Sequence, residues 1–418
     1  MAYDDVLKYI ADYWPQLVQN DPPMPADDGT LIGLPYPYLI PSRREFAEMY
    51  YWDCYFMALG VAGTEREQIV VDMAENGAHL IERFGFIPNA SRYYFTSRSQ
   101  PPFFTQLFRL GYDIKLKRGD TDTVEYLERM RKLAAREHET VWLGHDHRHQ
   151  RLVHRGLSLY RDVNANDFNS SCESGWDHST RCDGRQPGRE TGRWMSFLPV
   201  CLNSILYLRE KDLEWAARQV GDTVEAELWD DKADARAATM RELMWSEEYK
   251  FYYDYEFARK DPQSDKPTPQ IDKHETLAGF YPMWAGLATK AQAEAMVRNW
   301  FPRFLYPGGL VTSLPAGMPG RQWAFPNGWA PLQWIVVAGL ERYGYTSEAQ
   351  VIRRWWCDNC ATVFRNGAGP DGMGRGALIE KYNVAHVGQA PEHGLYGTGV
   401  GFGWSNAVFA DFARALGK

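Results

Sequence analysis

The chain has 418 residues, of which 44% are hydrophobic and 24% are charged, and its formal net charge is -8. These values are typical of a globular protein with a large core, and they exclude a disordered or fibrous chain. Nucleic acids and anionic membranes attract basic patches. The acidic balance and the lack of a lysine and arginine run therefore argue against both as partners.

The amino-terminal segment "MAYDDVLKYIADYWPQ" has acidic residues where a secretory signal peptide needs basic ones. No later segment approaches the ~20 consecutive apolar residues of a membrane span. The six cysteines, few for a chain of this length, fit a reducing compartment. We therefore expect a cytoplasmic location.

Several segments have apolar residues three and four positions apart, which predicts amphipathic helices. In chain order they are residues 121–144, 195–219, 222–245, 332–344, 347–366 and the carboxyl-terminal 405–418. Strand-like alternation is scarce, so helix pairs dominate. This pattern predicts an all-α fold of antiparallel helix hairpins, and a barrel is its natural closed form.

Long loops rich in Gly, Pro and Asn separate the helices. They include residues 85–104, 306–331 and 383–404, and each combines aromatic with polar side chains. Loops of this length in a compact domain are usually functional, so we expect them to gather at one end of the barrel. Because no segment reads as a flexible linker, we expect a single domain over residues 1–418.

Two patterns could suggest a metal, and both have a simpler interpretation. Cys357 and Cys360 in "CDNC" lack a second ligand pair, so they are expected to be two thiols on neighbouring helix positions. His145, His147 and His149 alternate in an arginine-rich stretch that is typical of a solvated loop. We expect neither a metal nor a cofactor.

The segment "ESGWDHSTR" places Asp177 beside a tryptophan and shortly after Glu173. An acid next to apolar aromatic surface is how proteins raise a carboxyl pKa and obtain a general acid, although the same segment could be a turn. The chain is also 14% aromatic, and aromatic faces pack against sugar rings. The loops add the other groups that a carbohydrate site needs: Trp52, Asp53, Asn89, Arg98, Gln100, Trp329 and Glu380.

Five ordered blocks carry a resemblance to a known family. They are "FAEMYYWDCYF", "IPNASRYYFTSRSQPPFF", "ESGWDHSTR", "GRQWAFPNGWAPLQW" and "EKYNV" followed by "GFGWSNAVF". Together they resemble the signature blocks of the trehalase family of inverting glycoside hydrolases, in the same order. The resemblance implies an (α/α)6 barrel that hydrolyses a small α-glucoside, with trehalose the leading substrate.

The resemblance also implies roles for individual residues. Asp177 corresponds to the family's general acid and Glu380 to its general base, which activates a water. The positions implied to contact substrate are Phe46, Trp52, Asp53, Asn89, Arg98, Gln100, Arg155, Gly175, Trp329 and Glu392. Glu392 corresponds to the glutamate of the family's glycine-rich lid, although it is shifted by three places relative to "GFGW".

Three departures from the family pattern bear on the substrate. Glu45 occupies the place of an arginine, with Arg44 one position earlier. Ala324 replaces the aspartate of a "QWD" block. Ser158 occupies an acidic position, and Arg155 is one place out of register. These changes leave the implied acid and base intact and concern recognition of the second sugar, so glucosylglycerate, mannosylglycerate and kojibiose remain alternative substrates.

Two other classes of function stay open. The first is a catalytically inactive barrel that binds a sugar or a protein. The second is a phosphorylase, in which phosphate replaces water as the attacking group. Retention of both the acid and the base favours hydrolysis over either alternative.

Overall fold

The computed structural model of the chain describes residues 3–20, 23–24, 26–145, 153–186, 191–261, 263–318, 320–392 and 394–417. Its helices are α1 Asp4–Leu17, α2 Tyr51–Val61, α3 Gln68–Phe84, α4 Phe104–Arg118, α5 Thr123–Glu137, α6 Asp167–Glu173, α7 Val200–Gln219, α8 Thr223–Leu243, α9 Tyr281–Ala285, α10 Lys290–Asn299, α11 Phe301–Phe304, α12 Ala330–Arg342, α13 Thr346–Asn366 and α14 Gly403–Ala415. A π-helix, His138–Trp142, continues α5.

The strands are short and join loops rather than build a core. They are β1 Val18–Gln19, β2 Tyr38–Leu39, β3 Phe197–Leu198, β4 Trp245–Ser246, β5 Phe251–Tyr252, β6 Asp254–Glu256, β7 Gln270–Asp272, β8 Leu305–Tyr306, β9 Gly309–Leu310, β10 Asn327–Trp329 and β11 Lys381–Asn383. The antiparallel pairs are β1 with β2, β4 with β5, β8 with β9 and β10 with β11, while β6 lies between β3 and β7.

Six helices close into an inner ring. In order around the ring, α2 contacts α4, α4 contacts α7, α7 contacts α9, α9 contacts α12, α12 contacts α14, and α14 returns to α2. An outer layer packs against them: α1 on α14, α3 on α2 and α4, α5 on α4 and α7, α8 on α7, and α13 on α12 and α14. This arrangement is an (α/α)6 barrel, so the predicted fold class is confirmed.

The inner helices differ from the outer ones in how they are buried. In α2, ten of the eleven residues are buried, so the helix shows no polar face. The outer helix α8 instead buries a single stripe that includes Trp229 and Met240. A helix that is buried on all sides has no hydrophobic periodicity, and for that reason the sequence patterns did not reveal α2.

The helix that was expected from residue 195 begins later, at Val200. Pro199 precedes it with an extended backbone, and residues 195–198 form part of a 3-10 turn and β3 instead. Proline is favoured at a helix start because it has no N–H to donate within the helix. The other predicted helices agree with α5, α8, α12, α13 and α14 to within a few residues.

Glu137 is a buried acid that ties the outer layer to the loops above the ring. Its Oε2 accepts hydrogen bonds from Arg209 Nη2 at 2.7 Å and from the Tyr51 hydroxyl at 3.0 Å. Its Oε1 accepts from the Ile87 N–H at 2.9 Å. A buried charge needs such partners, since unpaired it would be costly. The same carboxylate thereby fixes the start of α2 and the start of the loop at residues 85–104.

In the described part of the chain, no helix is both long enough and apolar enough to cross a membrane.

Candidate active site

A cavity of about 320 Å³ opens where the loops meet the amino ends of the inner helices. This volume is within the ~300–1,000 Å³ typical of small-molecule pockets. Its lining residues come from segments that are far apart in the chain: Phe46, Tyr50, Trp52, Asp53, Asn89, Phe95, Arg98, Gln100, Phe168, Cys172, Gly175, Asp177, Trp323, Glu380, Leu395, Tyr396, Phe402 and Trp404. Asp177 and Glu380, 203 positions apart in the printed numbering, thus face one cavity.

The turn that carries Asp177 depends on the glycine of its motif. Gly175 follows α6 with φ +70°, in the left-handed region that favours glycine. A Cβ atom there would lie 2.8 Å from Trp52 Cζ2. The chain therefore turns directly against the Trp52 ring and delivers Asp177 to the cavity two residues later.

The Asp177 carboxylate is held by an amide from another loop. Gln322 Nε2 donates a hydrogen bond to Asp177 Oδ2 at 2.7 Å. The two segments are joined by a parallel bridge between Ser179 and Trp323. This bridge fixes the distance between the acid and its amide partner.

Glu380 is placed by the short ladder between β10 and β11, in which Lys381 pairs with Trp329. Its Oε2 accepts from Lys381 Nζ and from the Gly399 N–H, both at 3.2 Å. Its Oε1 accepts from the Tyr396 hydroxyl at 3.2 Å. Three donors therefore surround one carboxylate that is only 1% exposed.

The two acids differ in their electrostatic surroundings. Burial, and secondly the nearby charge of Glu380, raise the pKa of Asp177 to about 7. Burial also raises the pKa of Glu380, but the ammonium of Lys381 and the hydrogen bonds from Gly399 and Tyr396 oppose this rise. Asp177 is thus suited to carry a proton near neutral pH, whereas Glu380 has the partners of an ionised carboxylate.

A third acid, Asp53, lies in the first turn of α2 and lines the same cavity. Burial raises its pKa well above the ordinary value, and the charges of Glu380 and Asp177 add to the effect. Beside it, Gln100 Oε1 accepts from the Trp52 N–H at 3.2 Å. These two side chains offer a deep polar surface next to the ring of Trp52.

The loop at residues 85–104 supplies Asn89 and Arg98. Asn89 Nδ2 donates to the carbonyl of Ser99 at 2.8 Å, which fixes the fold of the loop. The Arg98 guanidinium lies 5.1 Å from the Phe95 ring centroid, and its Nη1 donates weakly to Asn169 Oδ1 at 3.4 Å. Both side chains line the cavity, as does Phe46, which packs edge-on against Tyr396.

Glu173, the other acid of "ESGWD", turns away from the cavity. It is fully buried and accepts hydrogen bonds from the Ser99 N–H at 2.9 Å and the Arg161 N–H at 2.7 Å. Its carboxylate thereby joins the segment around Asp177 to the loop that carries Arg98. This acid acts on the geometry of the site and not on a ligand in the cavity.

Three of the expected substrate-contacting residues do not line this cavity. Arg155 forms a bidentate pair with Glu242 on the surface, with both distances 2.6 Å. Trp329 is fully buried and stacks on Trp323 at 3.8 Å, so Trp323 is the ring that faces the cavity. Glu392 lies on a neighbouring cavity, and its N–H donates to Asn327 Oδ1.

The positions that depart from the family pattern also lie outside the cavity. Glu45 is exposed and accepts a hydrogen bond from the Ser42 hydroxyl, and Arg44 is exposed as well. Ser158 is fully buried and donates to the Trp142 carbonyl at 2.7 Å. Ala324 lines the neighbouring cavity that also includes Glu392.

Sequence reasoning missed several residues at the site, among them Gln322, Lys381, Leu395 and Tyr396, and it did not single out the lining residues Tyr50, Phe95, Phe168, Cys172, Trp323, Phe402 and Trp404. Gln322 and Lys381 lie within the family-like blocks, and the position of Lys381 directly after Glu380 was a usable signal. Leu395 and Tyr396 lie in a glycine-rich loop whose alignment depended on Glu392. Leu395, three residues after Glu392, lines the cavity, whereas Glu392 does not.

Within the described residues, no group of three or more His, Cys, Asp or Glu side chains is arranged to hold a metal ion. His147 and His149 lie outside these residues. Cys357 and Cys360 are free, buried thiols on α13.

Comparison with known proteins assigns the family. The sequence profile described as Trehalase matches residues 2–162 and 158–417. A periplasmic trehalase of Escherichia coli O8 (strain IAI1) is 33% identical, with 96% of this chain and 72% of that protein covered. The structure of neutral trehalase Nth1 from Saccharomyces cerevisiae superposes with a TM-score of 0.73 at 26% identity, with 91% of this chain and 74% of that one covered.

A more distant structure shows the same fold. A GH63 mannosylglycerate hydrolase from Thermus thermophilus superposes with a TM-score of 0.67 at 19% identity, covering 98% of this chain and all of that one.

The comparisons contradict the expected cytoplasmic location, because the curated relatives are named periplasmic trehalases. The expectation came from the acidic amino terminus and the low cysteine count. Cysteine content is a weak guide here, since a barrel with a large core does not need disulfides to be stable.

The chain thus matches both a family profile and curated enzymes over nearly its whole length, and its helices form the fold of the matched trehalase structure. It belongs to the trehalase family and is a glycoside hydrolase.

Proposed function

We propose that the chain hydrolyses trehalose to two molecules of glucose with inversion at the anomeric carbon. The family and the names of its relatives support the substrate. The single observation that carries the mechanism is that Asp177 and Glu380 line one cavity with different partners. Inverting glycoside hydrolases use two carboxyl groups, one on either side of the glycosidic bond.

In this mechanism Asp177 is the general acid. Its raised pKa keeps the carboxyl protonated near neutral pH, and Gln322 holds it in place. The proton passes to the glycosidic oxygen as the bond from that oxygen to the anomeric carbon breaks. The first product leaves as neutral glucose, and Asp177 becomes a carboxylate.

Glu380 is the general base. It removes a proton from a water whose oxygen bonds to the anomeric carbon on the face opposite the leaving group. The donors Lys381, Gly399 and Tyr396 stabilise its ionised form and restrict its side chain. Proton exchange with solvent then restores both acids.

The cleaved glucose unit would bind at the base of the cavity. Asp53 and Gln100 are placed to bond its hydroxyls, and the ring of Trp52 to pack against its C–H face. Asn89, Arg98, Phe46 and Gly175 complete the lining. Arg155, Trp329 and Glu392 have no place in this proposal, since they lie outside the cavity.

The first test combines two substitutions and one stereochemical measurement. Asp177→Ala and Glu380→Ala should each abolish release of glucose from trehalose, while circular dichroism shows a folded protein. NMR within the first minutes should show α- and β-glucose in equal amounts, because only the attacked ring inverts. Wild-type turnover in either variant, or α-glucose alone, would refute the mechanism.

α-Glucosyl fluoride separates the two roles. Fluoride leaves without a proton, so Asp177→Ala should retain far more activity on this substrate than on trehalose. Glu380→Ala should lose activity on both, because the water still needs its base. Equal losses in the two variants on both substrates would contradict the assignment.

We also propose that residues 1–418 form one domain and that the protein acts in the periplasm. The continuous core from Tyr3 in the first segment to Ala413 in α14 supports the single domain, and the named location of the relatives supports the second. A single cooperative unfolding transition and recovery of activity in a periplasmic fraction would test these points.

A further inference from the structure

The cavity is polar at its base and apolar at its mouth. Asp53, Gln100 and Glu380 are 4%, 6% and 1% exposed, so they lie at depth. At the opening, Phe168 is 45% exposed and Leu395 is 42% exposed, although both line the cavity. Large exposed apolar side chains next to a binding site are a sign of contact with a ligand.

Three apolar side chains define this opening, which we call the aglycone rim: Phe95, Phe168 and Leu395. They come from the loop at residues 85–104, from α6 and from the loop at residues 383–404. Phe168 and Asp177 belong to one short segment. The rim and the proposed acid therefore share one cavity and, through Phe168, one short segment of the chain.

Among the described residues, the positions that the family pattern assigns to the second sugar add no polar group to the rim. These positions are Ser158, Arg155 and Ala324, and all lie outside the cavity. Arg98 is the cation among the described residues that line the cavity, and its guanidinium lies over the Phe95 ring. Its Nε is buried and has no hydrogen-bond partner among the described residues.

We propose that the enzyme also hydrolyses α-glucosides with an aromatic leaving group, and that the aglycone rim binds that group. An aromatic ring makes apolar contacts with Phe95, Phe168 and Leu395. Unlike a second sugar, it has no hydroxyl groups that need hydrogen-bond partners at the rim. The inference rests on the proposed function, because the same acid and base cleave the bond.

The chemistry is ordinary hydrolysis. For a benzyl α-glucoside, Asp177 protonates the benzyl oxygen as its bond to the anomeric carbon breaks, and benzyl alcohol leaves. The oxygen of water bonds to the anomeric carbon, and Glu380 takes the proton. No further reactant is needed.

The test compares benzyl α-D-glucopyranoside with methyl α-D-glucopyranoside. The two leaving alcohols have closely similar acidity, so the pair differs in the phenyl ring and not in demand for protonation. We expect the wild-type enzyme to have a kcat/KM on the benzyl glucoside roughly tenfold above that on the methyl glucoside. Trehalose hydrolysis is measured in parallel.

Two rim variants locate the effect. Phe168→Ser and Leu395→Ser remove half-exposed side chains, so both proteins should fold, and each should reduce the benzyl to methyl ratio by roughly 3- to 10-fold. Phe168→Tyr should retain the ratio. Val224→Ser is the matched control, because Val224 is 70% exposed on α8, away from the cavity.

The outcomes are separable. Turnover of trehalose together with equal rates on both glucosides would overturn the aglycone rim and leave the proposed function intact. Turnover of the benzyl glucoside without trehalose would support the rim and refute trehalose as substrate. Loss of turnover on all three would refute both, and a ratio unchanged in both serine variants would overturn the rim.

Discussion

Gln322 and Asp177, 145 positions apart in the chain, are joined by a 2.7 Å hydrogen bond from the side-chain amide to the carboxylate. Gln322 is fully buried, and its Oε1 has no hydrogen-bond partner among the described residues. The amide therefore serves Asp177 through its nitrogen. A donor to the ionised form lowers a carboxyl pKa, so Gln322 limits a rise that burial would otherwise make larger.

Replacement of Gln322 by Met removes this donor and keeps the volume of the side chain. Since Asp177 must be protonated to act, wild-type activity should fall as the pH rises above about 7. In Gln322→Met the pKa of Asp177 rises, so this alkaline limb should move up by about one pH unit while kcat falls. The pH profile of kcat/KM gives the position of the limb, and kcat is measured at saturating trehalose.

Gln333→Met is the control for that experiment. Gln333 is another buried glutamine, and it bonds the Leu310 backbone from α12. Its replacement should cost stability without moving the alkaline limb. An unchanged limb in Gln322→Met would show that the amide does not influence the acid.

The raised pKa of Asp177 has a consequence for stability. Its ordinary value is 3.8 and its value in the fold is about 7, so between these pH values the folded protein binds more protons than the unfolded chain. The free energy of unfolding therefore decreases as the pH rises from about 4 to about 7. Asp177→Asn removes the ionisable group and therefore this loss of stability, so it should stabilise the protein at pH 8 by on the order of 2 kcal/mol.

Thermal unfolding of Asp177→Asn and the wild type at pH 5 and pH 8 measures this effect. The difference in Tm should be small at pH 5 and larger at pH 8. Asp230→Asn is a suitable control, because Asp230 is a surface acid on α8 and pairs with Lys211. A stabilisation that does not depend on pH would contradict the linkage.

Much of the fold was accessible from the sequence because apolar residues recur three and four positions apart in the outer helices α5, α8 and α13 and in the inner helices α7, α12 and α14. Such helices, arranged as hairpins, predict a barrel. The inner helix α2 is apolar on nearly every side, so periodicity could not reveal it. The candidate site was predicted from its loop motifs, since these blocks combine polar and aromatic residues.

What the sequence could not give was the direction of individual side chains. Trp329 and Trp323 stand in one block, yet the short ladder of β10 and β11 buries the first behind the second. Glu392 and Leu395 differ by three places in a glycine-rich loop, and only the second reaches the cavity. Both outcomes depend on strand pairing and loop path, which are long-range properties.

Gly175 is expected to be sensitive to the smallest possible substitution. Gly175→Ala places a Cβ atom 2.8 Å from Trp52 in a left-handed backbone, so the turn before Asp177 must shift. Gly29→Ala is matched, with φ +57° and no atom within 4 Å of the new Cβ. Urea unfolding should show a loss of about 1–2 kcal/mol for Gly29→Ala and more for Gly175→Ala, which alone should lose activity.

Arg155 and Arg98 are expected to differ in their contribution to catalysis. Arg155 pairs with Glu242 on the surface, whereas Arg98 lines the cavity with a buried Nε that lacks a partner among the described residues. Arg155→Ala should leave kcat/KM for trehalose within about twofold of the wild type, because an exposed pair contributes little. Arg98→Ala should lower it by about tenfold or more, since a charged donor in the cavity lining is lost. A larger effect at Arg155 would mean that substrate reaches the surface of α8, and the cavity defined by Asp177 and Glu380 would then be only part of the site.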